Sequence, residues 1–460
     1  MDWLLERFAQ SPERIAFIHQ GTQMSYSGVL RKIEEFSVRV KLAGIAQGDR
    51  VLVLGDYSPE AFCLFFALML NGSIFVPLTR ESVVEVGIAL GVCGCDWFVE
   101  FPPAGDEPTI VRRSIAIENA LLSEFTKKAH PGIVLFSSGS TGKPKGILYD
   151  FVRIVEKFRQ QRRRVIAIPF LMFDHFGGIN TILAITSSLG TVVTVAERTV
   201  GSICRAIEKY KVELLPTTPS FLTMLMASRL NEHFDLRSLK RISYGTEVMP
   251  QSTLDRVHKA FPEVDLMQTY GLSEVGVLRS QSRPDGSLWV RLGGPGFQTK
   301  VVEGILWIKS DFAMEGYLNA PSEFDSEGWF NTRDQVEVEG EFVRILGRTT
   351  DIINVAGQKV YPAEVEDFLL QLDNVLDVAV YGEPHALMGH LVVAKVQLET
   401  PEPADQLKRR IRVACAGKLT AFKIPSKVIV SHEPLYSVRQ KKLRTTLPDA
   451  APADDLLAMR

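Results

Sequence analysis

A glycine- and serine-rich stretch, FSSGSTGKPKG at residues 136–146, has the residue types and spacing that most clearly indicate a chemical function. It contains three glycines, three serines, a threonine and two lysines after one apolar residue. Glycines let backbone N–H groups crowd around an anion, while hydroxyl and ammonium groups add donors and positive charge. This composition is typical of a loop that binds a polyphosphate. A flexible solvated loop is the alternative that the stretch alone leaves open.

The stretch matches neither of two well-known catalytic loops. A Walker A loop needs glycine, four residues and then Gly-Lys-Ser/Thr, whereas Ser137 stands first here and Pro144 follows Lys143. The Gly-x-Ser-x-Gly pattern of a nucleophile elbow does not occur in it. Pro144 and Gly146 also disfavour a helix directly after the loop. The sequence therefore requires a phosphate loop of another kind.

Short β-rich runs and helix-like segments alternate from Val51 onward. The β-rich runs are VLVLG, IFVPL, DWFVEF, GIVLF, RRVIAI, TVVTVA and ELLP. This alternation predicts an α/β core in which helices cover the sheets. The apolar run at residues 61–70 is about half the length of a membrane span, so it predicts a buried helix and no membrane span. In STLDRVHKAF the apolar residues share one helical face, which leaves His258 as a surface residue.

The sequence pattern changes near residue 300, where shorter strand-like and helix-like units separated by tight turns begin. Beyond Asp351 the strand-like runs DVAVYG and LVVAKVQL accompany a helix-like ADQLKRRIRVACAG. This pattern predicts a small α+β domain of roughly a hundred residues. With the boundary at Gly347–Asp351, the expected domains are residues 1–350 and residues 351–460.

Composition excludes several classes of partner. The chain has 460 residues, a net charge of -2 and 46% hydrophobic residues, which argues against broad electrostatic binding of nucleic acid or an anionic membrane. Five cysteines give no disulfide framework and no signal-peptide pattern is evident, so a reducing, cytoplasmic location is expected. Cys93 and Cys95 lack a second Cys/His pair nearby, which favours burial over a zinc site.

The same stretch, with several others, resembles the motifs of a known enzyme family. SSGSTGKPKG is similar to the phosphate loop of the adenylate-forming enzymes, which include acyl-CoA synthetases, peptide-synthetase adenylation domains and firefly-type luciferases. Further family-like segments follow in the family's order, and the resemblance runs from about Trp3 to Arg444. These segments are MSYSGVL, GIAQGDRVLV, SYGTEVMP, QTYGLSEVG and GWFNTRDQVEVEGEFVRILGRTTDIINVAGQKVYPAEVE.

The resemblance implies an acid–thiol ligase, an AMP-forming acyl-CoA synthetase. A carboxylic acid attacks the α-phosphorus of ATP, pyrophosphate leaves, and a thiol then displaces AMP from the acyl-adenylate. The implied cofactors are ATP, Mg²⁺ and coenzyme A, or the phosphopantetheine of a carrier protein. A stand-alone adenylation enzyme that loads a carrier protein is the first alternative, and a non-catalytic nucleotide-binding relative is the second. GQKVYPAEVE is closer to the CoA-ligase form of its motif.

The resemblance assigns the residues around ATP. Glu274 is implied as the Mg²⁺ ligand and a catalytic residue, and Asp334 and Arg348 as the ribose contacts. The implied phosphate-binding residues are Ser137, Ser138, Gly139, Ser140, Thr141, Gly142, Lys145 and Ser273. The implied adenine-binding residues are Gly245, Thr246, Glu247, Thr269, Tyr270 and Gly271, with Tyr270 stacked on the purine.

The remaining assignments concern the acid and the small domain. His175 is implied as a catalytic residue near the acid and the α-phosphate, with a hydrogen-bonded packing histidine as the alternative. Lys441 is implied as the mobile catalytic lysine, with Lys442 as the choice if the alignment slips by one residue. Asp351 aligns with the hinge about which the small domain rotates, and Gly357 with the tunnel that admits the thiol.

Three departures from the family pattern affect fine geometry and possibly the thiolation step. Arg333 replaces the glycine of Thr-Gly-Asp, and Asn354 replaces a lysine in the hinge motif. The family's Gly-Glu-Leu/Ile turn is only weakly matched by EGILWI.

The resemblance also puts residues around Phe221, Tyr244 and Gly271 near the acyl group. A small aromatic or medium-length acid is favoured, and Asp174 is expected to be structural rather than an amine ligand.

Overall fold

The computed structural model describes residues 1–80, 86–102, 107–137, 144–436 and 442–444. Contacts divide the chain into two compact units, Met1–Thr350 and Asp351–Arg460. The large N-terminal unit combines helices with sheets, and the small unit is of mixed α and β type. The predicted fold class is therefore confirmed.

The first unit contains most of the described elements. Its helices are α1 (Asp2–Ala9), α2 (Tyr26–Ala43), α3 (Pro59–Leu70), α4 (Val86–Cys93), α5 (Ala120–Lys127), α6 (Phe151–Glu156), α7 (Phe176–Ser187), α8 (Val200–Tyr210), α9 (Pro219–Ser228) and α10 (Gln251–Ala260). Its strands are β1 (Ile15–His19), β2 (Thr22–Ser25), β3 (Arg50–Leu54), β4 (Ile74–Leu78), β5 (Cys95–Glu100), β6 (Thr109–Ile115), β7 (Gly132–Ser137), β8 (Lys145–Asp150), β9 (Ile166–Ala167), β10 (Thr191–Val193), β11 (Leu214–Thr217), β12 (Arg241–Tyr244), β13 (Asp265–Gln268), β14 (Gly271–Leu272), β15 (Gly276–Val277), β16 (Arg279–Ser282), β17 (Val290–Gly293), β18 (Phe297–Val302), β19 (Ile305–Ser310), β20 (Gly316–Tyr317), β21 (Phe330–Glu339) and β22 (Phe342–Arg348).

Two sheets with parallel central strands form the core of this unit. One has the order β13-β12-β11-β9-β10-β1-β2, and only β2 is antiparallel to its neighbour. The other has the order β20-β8-β7-β4-β3-β5-β6, with β3, β4, β5 and β7 parallel and the outer pairs antiparallel. A third sheet, β16-β17-β22-β21-β19-β18, is antiparallel, and β14 pairs with β15 alone.

Helix α3 shows how the sequence sets the core. Ser58 caps it by accepting from the Ala61 N–H at 3.0 Å, and Pro59 occupies the first turn, where its missing N–H is harmless. Nearly every residue of the helix is buried, so the predicted buried helix is confirmed. No helix in the described ranges is both long enough and apolar enough to cross a bilayer.

The described residues of the second unit form a five-stranded sheet and two α-helices. Its elements are β23 (Ile353–Val355), β24 (Gln358–Val360), α11 (Pro362–Leu369), β25 (Val375–His385), β26 (Gly389–Leu398), α12 (Ala404–Cys415) and β27 (Lys427–Val430). Strand β26 pairs antiparallel with β25 and parallel with β27. Valine, leucine and isoleucine side chains of both helices and of the strands form a separate apolar core.

Two features of the fold differ from the sequence expectation. The run RRVIAI yields only the two-residue strand β9, because its arginines are largely exposed and pairing is confined to Ile166 and Ala167. Strand β1 was not foreseen, although it pairs with β10, which lies more than 170 residues later in the chain. Such distant parallel pairing leaves no local pattern in the sequence.

The two neighbouring cysteines are buried, as expected. The Cys93 thiol donates to the Ala89 carbonyl at 3.1 Å, and the Cys95 thiol donates to the Trp97 carbonyl at 2.8 Å. Burial raises the pKa of both thiols, which keeps them protonated. Among the described residues no group of three His, Cys, Asp or Glu side chains could hold a metal ion.

Candidate active site

The two ends of the glycine- and serine-rich loop are held by an antiparallel strand pair. Ser137 at the end of β7 lies opposite Lys145 at the start of β8. The Asn319 amide group donates to the Pro144 carbonyl at 2.9 Å and accepts from the Gly146 N–H at 3.0 Å. The loop therefore leaves and re-enters a fixed sheet edge. Residues 138–143, which include five predicted phosphate contacts and Lys143, lie outside the described residues.

Lys145 lies among charged and aromatic groups just beyond the loop. Its Nζ is 2.7 Å from Glu323 Oε1 and 4.4 Å from the centroid of the Tyr317 ring. The second oxygen of Glu323 lies 3.3 Å from Nη2 of Arg333. One carboxylate thus pairs with two cations. Neither Glu323 nor Tyr317 was singled out from the sequence.

Glu274 lies beside two tyrosine hydroxyls. Tyr317 donates to Glu274 Oε1 at 2.8 Å, and Tyr149 donates to the carbonyl of the predicted phosphate contact Ser273 at 2.6 Å. Burial, and then the charge of Glu274, raise the pKa of both tyrosines above the ordinary value. Both hydroxyls therefore remain protonated donors at neutral pH. The half-buried Glu274 carboxylate has oxygen chemistry that suits a hard cation.

The predicted adenine-binding residues follow the carboxyl ends of two neighbouring parallel strands, β12 and β13. Strands β11, β12 and β13 are neighbours, and Gly245 and Thr269 directly follow β12 and β13. The Thr269 N–H donates to the Tyr244 carbonyl at 2.7 Å. A Cβ on Gly245 would lie 2.5 Å from Thr269 Oγ1, so only glycine allows this approach. Ligands in α/β proteins commonly bind at such an edge.

Two more of the predicted adenine-binding residues, Thr246 and Glu247, follow Gly245 at that edge. The Glu247 carboxylate accepts from the Ser220 N–H at 3.2 Å and from the Ser220 hydroxyl, at the first turn of α9. A carboxylate there is favoured by the orphan N–H groups of the helix terminus. Thr246 has a φ of +72°, an uncommon conformation for threonine. Gly271 is similarly tight, because a Cβ would lie 2.7 Å from Val277 Cα.

The two predicted ribose contacts are brought together by one antiparallel strand pair. Asp334 on β21 lies directly opposite Arg348 on β22, and Arg348 Nε is 3.4 Å from Asp334 Oδ1. The Tyr270 hydroxyl donates to the other oxygen of Asp334. Tyr270 is only 7% exposed, and burial, together with Asp334, raises the pKa of its hydroxyl. The sequence did not anticipate this bond between the predicted adenine and ribose residues.

His175 caps helix α7. Its Nδ1 accepts from the Gly177 N–H at 3.0 Å, so the neutral ring carries its proton on Nε2. This contact agrees with the hydrogen-bonded packing histidine that the sequence left open. Asp174 is buried and accepts from the Thr79 hydroxyl at 3.3 Å, as expected of a structural aspartate.

Phe221 and Tyr244, expected near the acyl group, are fully enclosed. Phe221 packs edge-on against Phe170, with 4.8 Å between the ring centroids. Tyr244 is 1% exposed within the same apolar cluster. Their rings therefore support the wall of the first sheet rather than presenting a surface.

In the second unit, the predicted lysine segment is anchored by buried ion pairs. Lys442 Nζ lies 3.1 Å from Asp377 Oδ1 and donates to the Val378 carbonyl at 2.9 Å. Arg444 forms two bonds with Glu366, at 3.0 and 2.8 Å, and lies 3.8 Å from the predicted hinge residue Asp351. Both carboxylates are almost fully buried. Lys441 itself lies outside the described residues.

Gly357 forms the tip of a tight hairpin between β23 and β24. Ala356 and Gly357 have φ values of +48° and +82°, as a two-residue mirror-type turn requires. A Cβ on Gly357 would meet no atom within 4 Å. Asn354 pairs with Lys359 across this hairpin and is exposed.

Comparison with known proteins assigns this site to a family. The profile described as AMP-binding enzyme matches residues 4–318, and the AMP-binding enzyme C-terminal domain matches residues 364–439. The chain belongs to the AMP-binding enzyme family. This membership confirms the predicted enzyme class, an acid–thiol ligase that forms an acyl-adenylate and passes the acyl group to a thiol.

Named relatives agree with this assignment. A 4-coumarate–CoA ligase-like protein of Arabidopsis thaliana is 26% identical over 81% of this chain and 76% of its own length. The long-chain-fatty-acid–CoA ligase FadD13 of Mycobacterium tuberculosis is 25% identical over 97% of both chains. A solved anthranilate CoA ligase, AuaEII with anthranoyl-AMP, has the same fold, with a TM-score of 0.80 at 19% identity over 96% of this chain and 95% of that one.

Proposed function

We propose that this chain activates an aromatic carboxylic acid with ATP and Mg²⁺ and transfers the acyl group to coenzyme A. The observation that carries the proposal is the pairing of Asp334, Arg348 and Tyr270. It offers a buried carboxylate that can accept the ribose hydroxyl protons, with side-chain donors beside it. Tyr270 follows two residues after the end of β13. Four residues after Tyr270 along the same segment, Glu274 marks the phosphate end of the same nucleotide.

At the phosphate end, Lys145 and the loop before it bind the β- and γ-phosphates. The strand pair at Ser137 and Lys145 supports this role, because it fixes the two positions between which the loop runs. Ser138, Gly139, Ser140, Thr141 and Gly142 supply N–H and hydroxyl donors in this proposal.

Glu274 fits a magnesium ligand. Its half-buried carboxylate has one oxygen bonded to the Tyr317 hydroxyl, which fixes the orientation of the group. Bound Mg²⁺ would neutralise charge on the phosphates of ATP. The neighbouring Tyr149 orients the backbone at Ser273 by donating to its carbonyl.

Lys441 is our choice for the catalytic lysine. The buried Asp377 already holds the ammonium of Lys442, so a transfer of Lys442 to a nucleotide would leave a buried carboxylate without its cation. Lys441 stabilises the charge that develops between the acid and the α-phosphate. The second unit rotates about Asp351 after adenylation, and the hairpin tip at Gly357 then lies along the pantetheine path.

The acid and the acceptor are the finer parts of the proposal. An aromatic acid is supported by the name of the coumarate-ligase-like relative, whereas the FadD13 relative is named for long-chain fatty acids. Coenzyme A is supported by the CoA-ligase names of these relatives and by the form of GQKVYPAEVE. A cytoplasmic location agrees with both substrates.

The test is ATP–pyrophosphate exchange over a panel of benzoates, cinnamates and fatty acids of graded length. We expect exchange with at least one aromatic acid, followed by thioester formation with CoA but not with a carrier-protein phosphopantetheine. Exchange with fatty acids alone would show that the substrate is a fatty acid and not an aromatic acid. Transfer of the acyl group only to the carrier protein would show that CoA is not the acceptor. Absence of exchange with every acid would favour a non-catalytic nucleotide-binding role.

A further inference from the structure

Arg333 occupies a backbone position that disfavours its own side chain. Its φ is +60°, in the left-handed region where a residue other than glycine costs about 1–2 kcal/mol. The resembled motif has glycine at this place, between Thr332 and Asp334. Backbone strain that persists next to a ligand-binding residue points to a use for the side chain.

The Arg333 guanidinium shares a carboxylate with the proposed phosphate-binding lysine. Glu323 Oε2 lies 3.3 Å from Arg333 Nη2, and Glu323 Oε1 lies 2.7 Å from Lys145 Nζ. The exposed fractions are 19% for Lys145, 23% for Glu323 and 46% for Arg333. Because all three groups reach solvent, each can change partners without leaving a fully buried charge behind.

Binding of a polyphosphate at Lys145 would disturb this arrangement. Lys145 must share its charge between Glu323 and the phosphates, and a carboxylate without a cation would repel the incoming phosphates. Arg333 can stay with Glu323 during this exchange. The Tyr317 ring under the lysine ammonium gives Lys145 an aromatic contact that does not depend on Glu323.

We propose that Arg333 is a positioning residue that neutralises Glu323 and thereby releases Lys145 for the β- and γ-phosphates of ATP. Its effect on affinity passes through Glu323 and not through direct contact with the nucleotide. This inference rests on the proposed role of Lys145. It predicts an effect on ligands that carry β- and γ-phosphates and none on AMP.

The test measures binding of α,β-methylene-ATP with Mg²⁺, and of AMP, by calorimetry on the full chain. Replacing Arg333 with glycine leaves Glu323 to Lys145 alone, so Arg333→Gly should weaken binding of the ATP analogue by about two- to fivefold. Binding of AMP should not change. In the Glu323→Gln background the same Arg333→Gly substitution should have no further effect.

A matched control separates backbone strain from charge. Glu303, in the turn between β18 and β19 of the same sheet, has a φ of +51° and is exposed. Glu303→Gly relieves similar backbone strain and should leave both affinities unchanged.

Three results would overturn the inference. An equal loss on Arg333→Gly in the Glu323→Gln background would mean that Arg333 contacts the nucleotide directly. Equal losses for AMP and the ATP analogue would indicate a structural role. Weakened analogue binding in Lys145→Ala together with unchanged binding in Arg333→Gly would leave the phosphate role of Lys145 intact and remove the role of Arg333. If Lys145→Ala binds the analogue normally, the proposed function of Lys145 is itself wrong.

Discussion

The two units use ion pairs of the same residue types in different environments. In the second unit, Glu366–Arg444 and Asp377–Lys442 have carboxylates that are 2% and 4% exposed. In the first unit, Lys145 and Glu323 are each about one-fifth exposed. A buried pair cannot lose a partner without leaving a desolvated charge, whereas a partly exposed pair can exchange one partner for a ligand. The buried pairs are thus suited to stabilising the fold, and the partly exposed charges to binding a ligand.

The largest effect should come from breaking a buried pair. Glu366→Gln removes the charge that holds Arg444 and should lower the free energy of unfolding by about 3–5 kcal/mol, measured by urea titration. Burial raises the pKa of Glu366, but Arg444 and Lys442 outweigh it and bring the pKa below the ordinary value. The stabilisation is therefore present above the pKa of the unfolded chain and should fade as pH falls through the folded pKa.

Glu364 provides the matched control for Glu366. It lies on the same helix, but its pair with Lys423 at 2.6 Å leaves it 43% exposed. Glu364→Gln should lower stability by less than about 1 kcal/mol. Equal losses for the two variants would remove the contrast between buried and exposed pairs.

Neighbouring lysines should show the contrast within one segment. Lys442→Ala leaves Asp377 without its cation and should lower stability by roughly 3 kcal/mol. Lys441→Ala should instead depress acyl-adenylate formation while a supplied acyl-adenylate still reaches the thiol. Thermal unfolding and the separate half-reactions report on the two outcomes. An adenylation defect confined to Lys442→Ala in a stable variant would move the catalytic role by one residue.

Glu274→Gln should alter rate more than stability. Loss of an electrostatic contact with the metal should slow adenylation by about a hundredfold, or roughly 3 kcal/mol, and raise the Mg²⁺ requirement. The half-buried carboxylate should leave the unfolding temperature nearly unchanged. Near-normal kinetics would refute the role of Glu274 as a metal ligand. A large drop in unfolding temperature would show that Glu274 stabilises the fold, as the buried pairs do.

A pH-dependent effect is expected from a lysine that has no ion pair among the described residues. Lys157 donates to the Asn180 amide oxygen at 2.6 Å and to the Val277 carbonyl at 2.5 Å. Burial, and then Arg162 and Arg279, lower its pKa to about 7 from an ordinary value near 10.5. Between these values the unfolded chain binds more protons, so stability should rise with pH.

Substitution of Lys157 isolates this pH dependence. Lys157→Met should flatten the rise in unfolding temperature between pH 7 and 10, whereas the exposed Lys259→Met should keep it. If the wild-type slope survives in Lys157→Met, another group causes it.

Local patterns in the sequence predicted several parts of the fold and of the site. The strand before the phosphate loop, the buried helix α3 and the surface position of His258 follow from periodicity and composition. The order of the family-like motifs predicted Asp334 and Arg348 as ribose contacts, and the two residues lie opposite each other in one strand pair. These features depend on residues close together in the chain or on recurring motifs.

Other site residues could not be found in this way. Asn319, Tyr317 and Glu323 reach the loop or Glu274 from segments more than 40 residues away in sequence, and in isolation each is an ordinary polar residue. Likewise, the capping role of His175 depends on where α7 begins. The contacts of Asn319, Tyr317 and Glu323 are visible only where distant segments meet in three dimensions.

The hairpin tip at Ala356–Gly357 has a consequence for mutational scans and sequence surveys. Both residues have positive φ, so the turn selects glycine for folding whether or not a thiol ever passes it. Intolerance of Gly357 to substitution is therefore ambiguous, whereas tolerance of asparagine, which also adopts this conformation, is informative. A folded Gly357→Asn variant that adenylates normally but thiolates poorly would separate selection for catalysis from selection for turn geometry.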